Sequence, residues 1–249
     1  MDKLLTVVIP SYNVEKFLNQ TLDSFVCDEA VMKKFEVIVV DDGSKDNTAK
    51  IGKEYADKYP DTFRVISKEN GGHGSTINCG IRNAVGKYFK VVDGDDWVNT
   101  ADFVKLVEDL EKTESEYVFT NYNEYYDDVN RQKAVDFPQF KDGTEYDFAD
   151  VANKVCIPMH ALVIKTSVLK DNNIVIDEKC FYVDVEYVMF PVPFVNKATF
   201  FDLHVYMYRL ALSTQSVSIH GFQKHINDHL SLTFHMFDFY RDYISSDKA

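Results

Sequence analysis

Apolar runs and amphipathic stretches alternate along the first hundred residues. Leu4 to Ile9, closed by Pro10, reads as a strand buried on both faces, the habit of a parallel sheet. Behind Asn13, whose side chain suits an N-cap, Val14, Phe17, Leu18, Thr21, Leu22 and Phe25 recur at helical spacing. Glu36 to Val40 predicts a second strand and is followed by a helix to about Tyr59. Phe63 to Ser67 predicts a third strand, and a glycine-rich loop, Asn70 to Ser75, leads to a helix carrying Ile77, Ile81, Ala84 and Val85. Tyr88 to Val92, set between Gly86 and Gly94, is the fourth strand.

Beyond residue 100 the pattern is looser. Thr100 to Lys112 predicts a helix with Phe103, Leu106, Val107 and Leu110 on one face, and Glu116 to Tyr126 predicts a strand. Asp127 to Asp150 is polar, irregular and aromatic, which suits either the wall of an acceptor cleft or a plain surface loop. Strands are expected at Ala161 to Lys165, Ala198 to Phe201 and His204 to Arg209, with a helix starting near Val188. Phe222 to Ile244 predicts one long helix with two apolar stripes. Ile226, Leu230, Phe234, Phe237, Tyr240 and Ile244 are expected to dock it, while Leu232, Met236, Phe239 and Tyr243 form a surplus stripe expected to meet another partner.

Strands alternating with helices imply an α/β fold, and in such sheets ligands bind beyond the carboxyl ends of the strands. Tyr12, the Asp41-Asp42 pair, the glycine loop and Asp93-Gly94-Asp95-Asp96 all fall at such ends, so they can share one crevice. Three carboxylates within four residues repel one another unless a hard cation or a set of donors sits among them. A divalent ion at Asp93 and Asp95 is one reading; a polar turn with Asp96 or Asn99 capping the next helix is the other. No Gly-x-Gly-x-x-Gly follows the first strand and no Walker loop occurs, against a dinucleotide dehydrogenase or P-loop enzyme.

Composition narrows the picture further. With 249 residues, 45% of them hydrophobic, the chain can bury a sizeable core, and a formal net charge of -13 argues against a nucleic-acid partner. Cys27, Cys79, Cys156 and Cys180 show neither metal-ligand spacing nor a secretory leader, which suggests reduced thiols and a cytoplasmic setting. No apolar stretch reaches the ~18 residues of a membrane span, so any membrane contact is expected to be peripheral.

Val8-Ile9-Pro10-Ser11-Tyr12-Asn13, Val39-Val40-Asp41-Asp42-Gly43-Ser44, Asn70-Gly71-Gly72 and Val92-Asp93-Gly94-Asp95-Asp96, in this order, resemble the family-2 glycosyltransferases of GT-A fold. The resemblance implies a Rossmann-like, mostly parallel sheet flanked by helices. It implies a catalytic domain over residues 1–220, with a nucleotide-sugar half (1–100) and an acceptor half (101–220), followed by a helical extension (221–249). The implied activity is inverting transfer of a sugar from a nucleoside diphosphate, UDP foremost, to a hydroxyl of a glycan, lipid-linked or glycoprotein acceptor, as in polysaccharide assembly at the inner face of a membrane.

The resemblance also implies site residues. Pro10, Tyr12, Asp41, Asp42, Asn70, Gly72 and Asp93 would hold the nucleotide, Asp93 and Asp95 a Mn²⁺ or Mg²⁺ ion, and Arg209, with Ser213, Ser216 and Ser218 after it, the diphosphate. The family's general base falls in a Glu-Asp pair at a helix start; here Val183 replaces the Glu and Asp184 matches the Asp, with Glu186 as second choice and a helix cap as the alternative. A second departure is Ile77, where members often carry Arg. His160 is expected to be a packed, hydrogen-bonded histidine, and His220 and His225 are the histidines considered for a place near the metal, with a structural role as the alternative. The rival functions are a nucleotide-sugar-binding module without turnover and an Asp-x-Asp phosphatase. A second copy of the chain or a further region is the expected partner of the helix at 222–244.

Overall fold

The computed structural model describes residues 3–210 and 219–244. Its first half follows the predicted alternation: β1 (Leu5–Ser11), α1 (Leu18–Asp23), α2 (Glu29–Met32), β2 (Phe35–Asp41), α3 (Thr48–Lys58), β3 (Phe63–Ser67), α4 (His73–Asn83), β4 (Tyr88–Val91), the short β5 (Trp97–Val98) and α5 (Thr100–Leu110). Then come β6 (Tyr117–Tyr126), β7 (Arg131–Val135), β8 (Thr144–Asp147), α6 (Phe148–Ala152), β9 (Leu162–Lys165), α7 (Thr166–Asp171), α8 (Asp184–Met189), β10 (Lys197–Leu210), α9 (Ile219–Lys224) and α10 (Ile226–Ile244).

All ten strands belong to one sheet, whose main path runs β3-β2-β1-β4-β9-β6-β10-β5, with β7 joined to β6 and β8 to β10. From β3 to β4 the pairing is parallel, and every residue of β1 and β2 is buried, as unbroken apolar runs require when helices cover both faces. Beyond β4 the sheet turns mixed: β9 pairs antiparallel with both β4 and β6, while β10 runs parallel to β6 with register shifts between Phe201 and Tyr206. Those shifts merge the two late strands expected from the sequence into one.

Several local expectations are corrected. Pro10 does not close β1; it pairs opposite Val40, a position that the missing N–H tolerates at a strand's end. Asn13 is no helix cap. Its φ of 55° turns the chain, and its side chain instead accepts the Lys45 N–H at 2.8 Å. Asn99 does cap α5, accepting the Asp102 N–H at 3.1 Å. The irregular stretch after Tyr126 folds as β7, hydrogen-bonded to β6, and β8, hydrogen-bonded to β10.

The two stripes on the last described helix exchange roles. Leu232 is 4% exposed and sits in the core, with Met236 and Phe239 packed against it, while Tyr243 donates to the Pro193 carbonyl at 3.1 Å. Ile226, Leu230, Phe234, Phe237 and Ile244 are the exposed ones, at 51–70%. Tyr240 goes with the docked face, its hydroxyl donating to the Met189 carbonyl at 2.7 Å. Periodicity marks both faces of such a helix, but which one meets the core depends on where the preceding chain delivers it.

Candidate active site

A cleft of about 600 Å³ opens at the carboxyl ends of the parallel strands. Pro10 and Tyr12 reach it from β1, Asp42 from the end of β2, Asn70 and Gly72 from the glycine loop, Asp93 from the end of β4 and Asp184 from the start of α8. The predicted constellation therefore shares one space, with three exceptions. Asp41, Asp95 and Arg209 do not line it.

The glycine loop is held rather than loose. Asp42 Oδ1 accepts from the Gly71 N–H at 2.9 Å and from Lys68 Nζ at 2.7 Å, and Oδ2 accepts from the Gly72 N–H at 2.8 Å. On the loop's other side the Lys179 N–H donates to the Gly71 carbonyl at 2.6 Å. A side chain at Gly72, whose φ is 83°, would meet the Lys179 backbone at 3.1 Å, and one at Gly74 would collide with the Asp177 carbonyl. These glycines let α4 abut the segment that leads to α8, so the glycine loop and Asp184 are positioned against each other.

The Asp93-Asp95-Asp96 triplet divides its work. Asp96 is buried and committed to the scaffold: Tyr206 Oη donates to its Oδ2 at 2.6 Å and the Arg209 N–H to its Oδ1 at 2.7 Å. Asp93 Oδ1 lies 2.8 Å from His73 Nε2. Burial and the neighbouring Asp93 push the Asp95 carboxyl up to about 6, the sign of a charge lacking compensation. The three carboxylates lie within 4.8 Å of one another, so with Asp96 engaged, Asp93 and Asp95 offer the hard oxygen donors that a Mg²⁺ or Mn²⁺ ion takes. The donor set fits such an ion.

Arg209 is placed elsewhere than expected. It is 5% exposed, its guanidinium donates to the Asp95 carbonyl at 2.8 Å, to Gln20 Oε1 at 2.7 Å and to Asp127 Oδ1, and it lies over the Phe17 and Trp97 rings at 4.9 and 4.6 Å. It buttresses the acidic turn from behind. Ser213, Ser216 and Ser218, and the side chain of His220, lie outside the described residues. His225 pairs with Asp228 at 3.2 Å and stacks on Phe181, and among the described residues the ligand cluster at the acidic turn consists of Asp93, Asp95 and Asp96 without it.

Asp184 opens α8, where Val183 holds the cap position without a side-chain cap bond. Burial raises the Asp184 carboxyl and nearby Asp93 adds to it, against the pull of His73, which leaves it a stronger base than an exposed aspartate. Two residues earlier Tyr182 adopts a φ of 65°, an uncommon conformation for a bulky side chain. Val183 and Ile77, the two departures from the family pattern, are buried in the apolar core at 1% and 0% exposure.

His73 and Lys179 line the cleft without having been anticipated. Burial disfavours a charge on His73, yet Asp93, Asp184 and Asp95 together raise its pKa. A histidine among glycines just ahead of a helix is the signal the sequence offers for it. His160 also lines the cleft, stacked on Tyr208 at 3.9 Å between ring centres; burial lowers it to about 4, and its Nδ1 is buried without a hydrogen-bond partner, contrary to the expected bonded histidine.

The sequence model of glycosyl transferase family 2 matches residues 6–171, more than half of the chain and all of the strand ends just described up to Asp96. The chain belongs to glycosyl transferase family 2. Among its relatives are an uncharacterised glycosyltransferase EpsJ of Bacillus subtilis (strain 168), 38% identical over 118 residues, or 47% of this chain and 33% of EpsJ. The minor teichoic acid biosynthesis protein GgaB of the same strain is 33% identical over 45% of this chain and 12% of GgaB. The family-2 chain thus spans a third or less of the length of these relatives. Its fold matches that of S. aureus TarS in complex with UDP-GlcNAc, with a TM-score of 0.70 at 24% identity over 84% of this chain and 59% of TarS residues 1–349. It also matches the mannosyltransferase PcManGT of Pyrobaculum calidifontis in complex with GDP-Man and Mn²⁺, with a TM-score of 0.65 at 17% identity over 94% of this chain and 65% of that one. The fold is GT-A.

Proposed function

We propose that this family-2 chain transfers a glycosyl unit with inversion from a UDP-sugar to an acceptor hydroxyl. The observation that carries the reading is that Asp184 and Asp93 line one cleft together with the three strand-end loops. Asp42, Asn70, Gly72, Pro10 and Tyr12 bound the volume in which a nucleoside diphosphate would lie, and TarS, of the same fold, has been solved with UDP-GlcNAc. Asp93 and Asp95 would hold a Mn²⁺ or Mg²⁺ ion, which when bound offsets the charge on the leaving diphosphate. The Mn²⁺ bound with GDP-Man in PcManGT agrees with this assignment.

Asp184 is the base of this reading. As the acceptor oxygen attacks the anomeric carbon, its proton passes to the Asp184 carboxylate, a transfer favoured by the raised pKa. Acceptor choice falls to the half of the chain beyond residue 100, and a glycan, lipid-linked or glycoprotein acceptor in polysaccharide assembly is the proposed class. No described helix is long and apolar enough to cross a membrane, and a cytoplasmic position near the inner membrane face is proposed. The test is thermal-shift and donor-hydrolysis measurement over a panel of nucleotide sugars with and without Mn²⁺. A UDP-sugar that stabilises the protein in the presence of Mn²⁺ and is turned over supports the reading; stabilisation without turnover leaves a binding module, and hydrolysis of generic phosphomonoesters returns the phosphatase.

A further inference from the structure

Away from the cleft, three side chains from three separate segments converge. Asp177 follows α7 in the chain, Glu186 lies on α8 and His235 on α10. His235 Nδ1 stands 2.9 Å from Glu186 Oε1 and 3.0 Å from Asp177 Oδ2. Glu186 is fully buried, whereas the Asp177 and His235 side chains are 38% and 40% exposed, so the cluster has a closed side and a side open to solvent.

The arrangement is held from behind. The Asp177 N–H donates to Glu186 Oε2 at 2.7 Å, which fixes the carboxylate and leaves Oε1 toward the histidine. The His235 ring meets the edge of Phe190 at 5.3 Å between ring centres, which sets its plane. Orienting contacts of this sort are what keep ligand side chains in place around a cation.

A ring nitrogen carries at most one proton, yet here it faces two carboxylate oxygens at nearly equal distances. With both carboxylates ionised, even a protonated imidazole leaves this group with one negative charge in excess, and one of the carboxylates is sealed from water. Ligand atoms at ~2.1 Å from a cation stand ~3.0–3.4 Å from one another, so the two spacings from His235 Nδ1 need shifts of only a few tenths of an ångström, and all three ligand atoms lie within 4.8 Å of one another. One imidazole nitrogen and two carboxylate oxygens, with room for water on the open side, is a donor set for Zn²⁺ and its first-row neighbours. It contrasts with the all-oxygen set at Asp93 and Asp95, which suits harder ions.

We propose that Asp177, Glu186 and His235 form a second cation site, selective for Zn²⁺ over Mg²⁺, that ties α10 to α8. The site does not depend on the glycosyl-transfer reading, since binding can be measured on a chain with no turnover at all. Its structural effect reaches the cleft all the same: α8 begins at Asp184, two residues before Glu186, and the Asp177 carbonyl packs against Gly74 of α4. An ion here would fasten the last described helix to the element that carries Asp184.

The experiment uses the intact chain stripped of metal and titrated with Zn²⁺ by calorimetry, in parallel with His235→Gln, Asp177→Asn and Asp95→Asn. One equivalent should bind to the parent and to Asp95→Asn alike, raise the melting temperature of both, and resist a large excess of Mg²⁺. His235→Gln and Asp177→Asn should each weaken that equivalent at least tenfold. Asp177→Asn, at a partly exposed position, keeps the test open if the histidine variant folds poorly. Absence of Zn²⁺ binding in the parent, or unchanged binding in both ligand variants, would overturn the proposal and leave the cluster as a hydrogen-bonded latch; zinc held by the four cysteines would appear in that second result.

Discussion

His73 Nε2 and Asp93 Oδ1 lie 2.8 Å apart, joining the first turn of α4 to the end of β4 across the cleft. Asp93 lowers its own pKa through this contact despite its burial, because the histidine beside it favours the carboxylate. A charge-assisted hydrogen bond of this kind is worth about 1.5–3 kcal/mol. His73→Ala should therefore weaken UDP binding about tenfold or more in calorimetry, while His73→Gln, which keeps a donor, should recover most of the loss. Parent-like affinity in His73→Ala would show that the pair does not organise the site.

Asp184 separates chemistry from binding. Loss of a general base, the role proposed for it, would raise the free energy of the transition state and spare the ground-state complex. Asp184→Asn is expected to bind UDP and metal like the parent, melt within a few degrees of it, and transfer sugar at least ~10²-fold more slowly. If transfer stays near normal, the residue is structural and Glu186 is tested next, although burial and its bonds to Asp177 and His235 leave Glu186 far less available.

Lys90 governs a pH response. It is fully buried beneath the acidic turn, donates to the His160 carbonyl at 2.9 Å and the Leu162 carbonyl at 3.2 Å, and burial lowers its pKa to about 7. Between that value and the ordinary 10.5 the unfolded chain holds the extra proton, so stability should rise with pH above 7. The slope is at most about 1.4 kcal/mol per pH unit. Denaturation midpoints taken from pH 7 to 9 should climb for the parent, and Lys90→Met should flatten that climb. An equal slope in both proteins would assign the response to other groups.

The reversed helix faces make the plainest stability test. Truncating buried Leu232 to Ala should cost about 2–4 kcal/mol, the usual range for a core leucine. Phe237→Ala, at a position 69% exposed, should change little. Urea midpoints for the two variants would decide, and the opposite order would restore the docking expected from the sequence.

The parallel half of the sheet was legible because each strand there is an unbroken apolar run and each strand end carries a polar signature. Asp42 and Asp93 could be expected at the cleft because they follow apolar strands that end at one edge of the sheet, whereas Asp184 was indicated by the resemblance to the family's helix-start pair; all three line the cleft. Arg209 was misplaced since a cation's partners, here Gln20, Asp127 and the Asp95 carbonyl, lie far away in sequence and only the fold brings them together. His73 escaped notice because its meaning comes from Asp93, twenty positions on. On α10 the pattern showed two apolar faces but carried no information on which way the preceding chain would turn them.

The pairing of β4 has a mechanical consequence. This strand is bonded to β1 on one side and to β9 on the other, so the sheet continues unbroken from the first half of the chain into the later half. Opening the cleft like a book would disrupt these backbone ladders, so the continuous sheet resists hinge motion between the two halves. The segment from Lys179 to Tyr182, with two residues in left-handed conformations, lines the cleft and leads through Val183 into Asp184, so the rim of the cleft and that carboxylate are carried on one short stretch of chain.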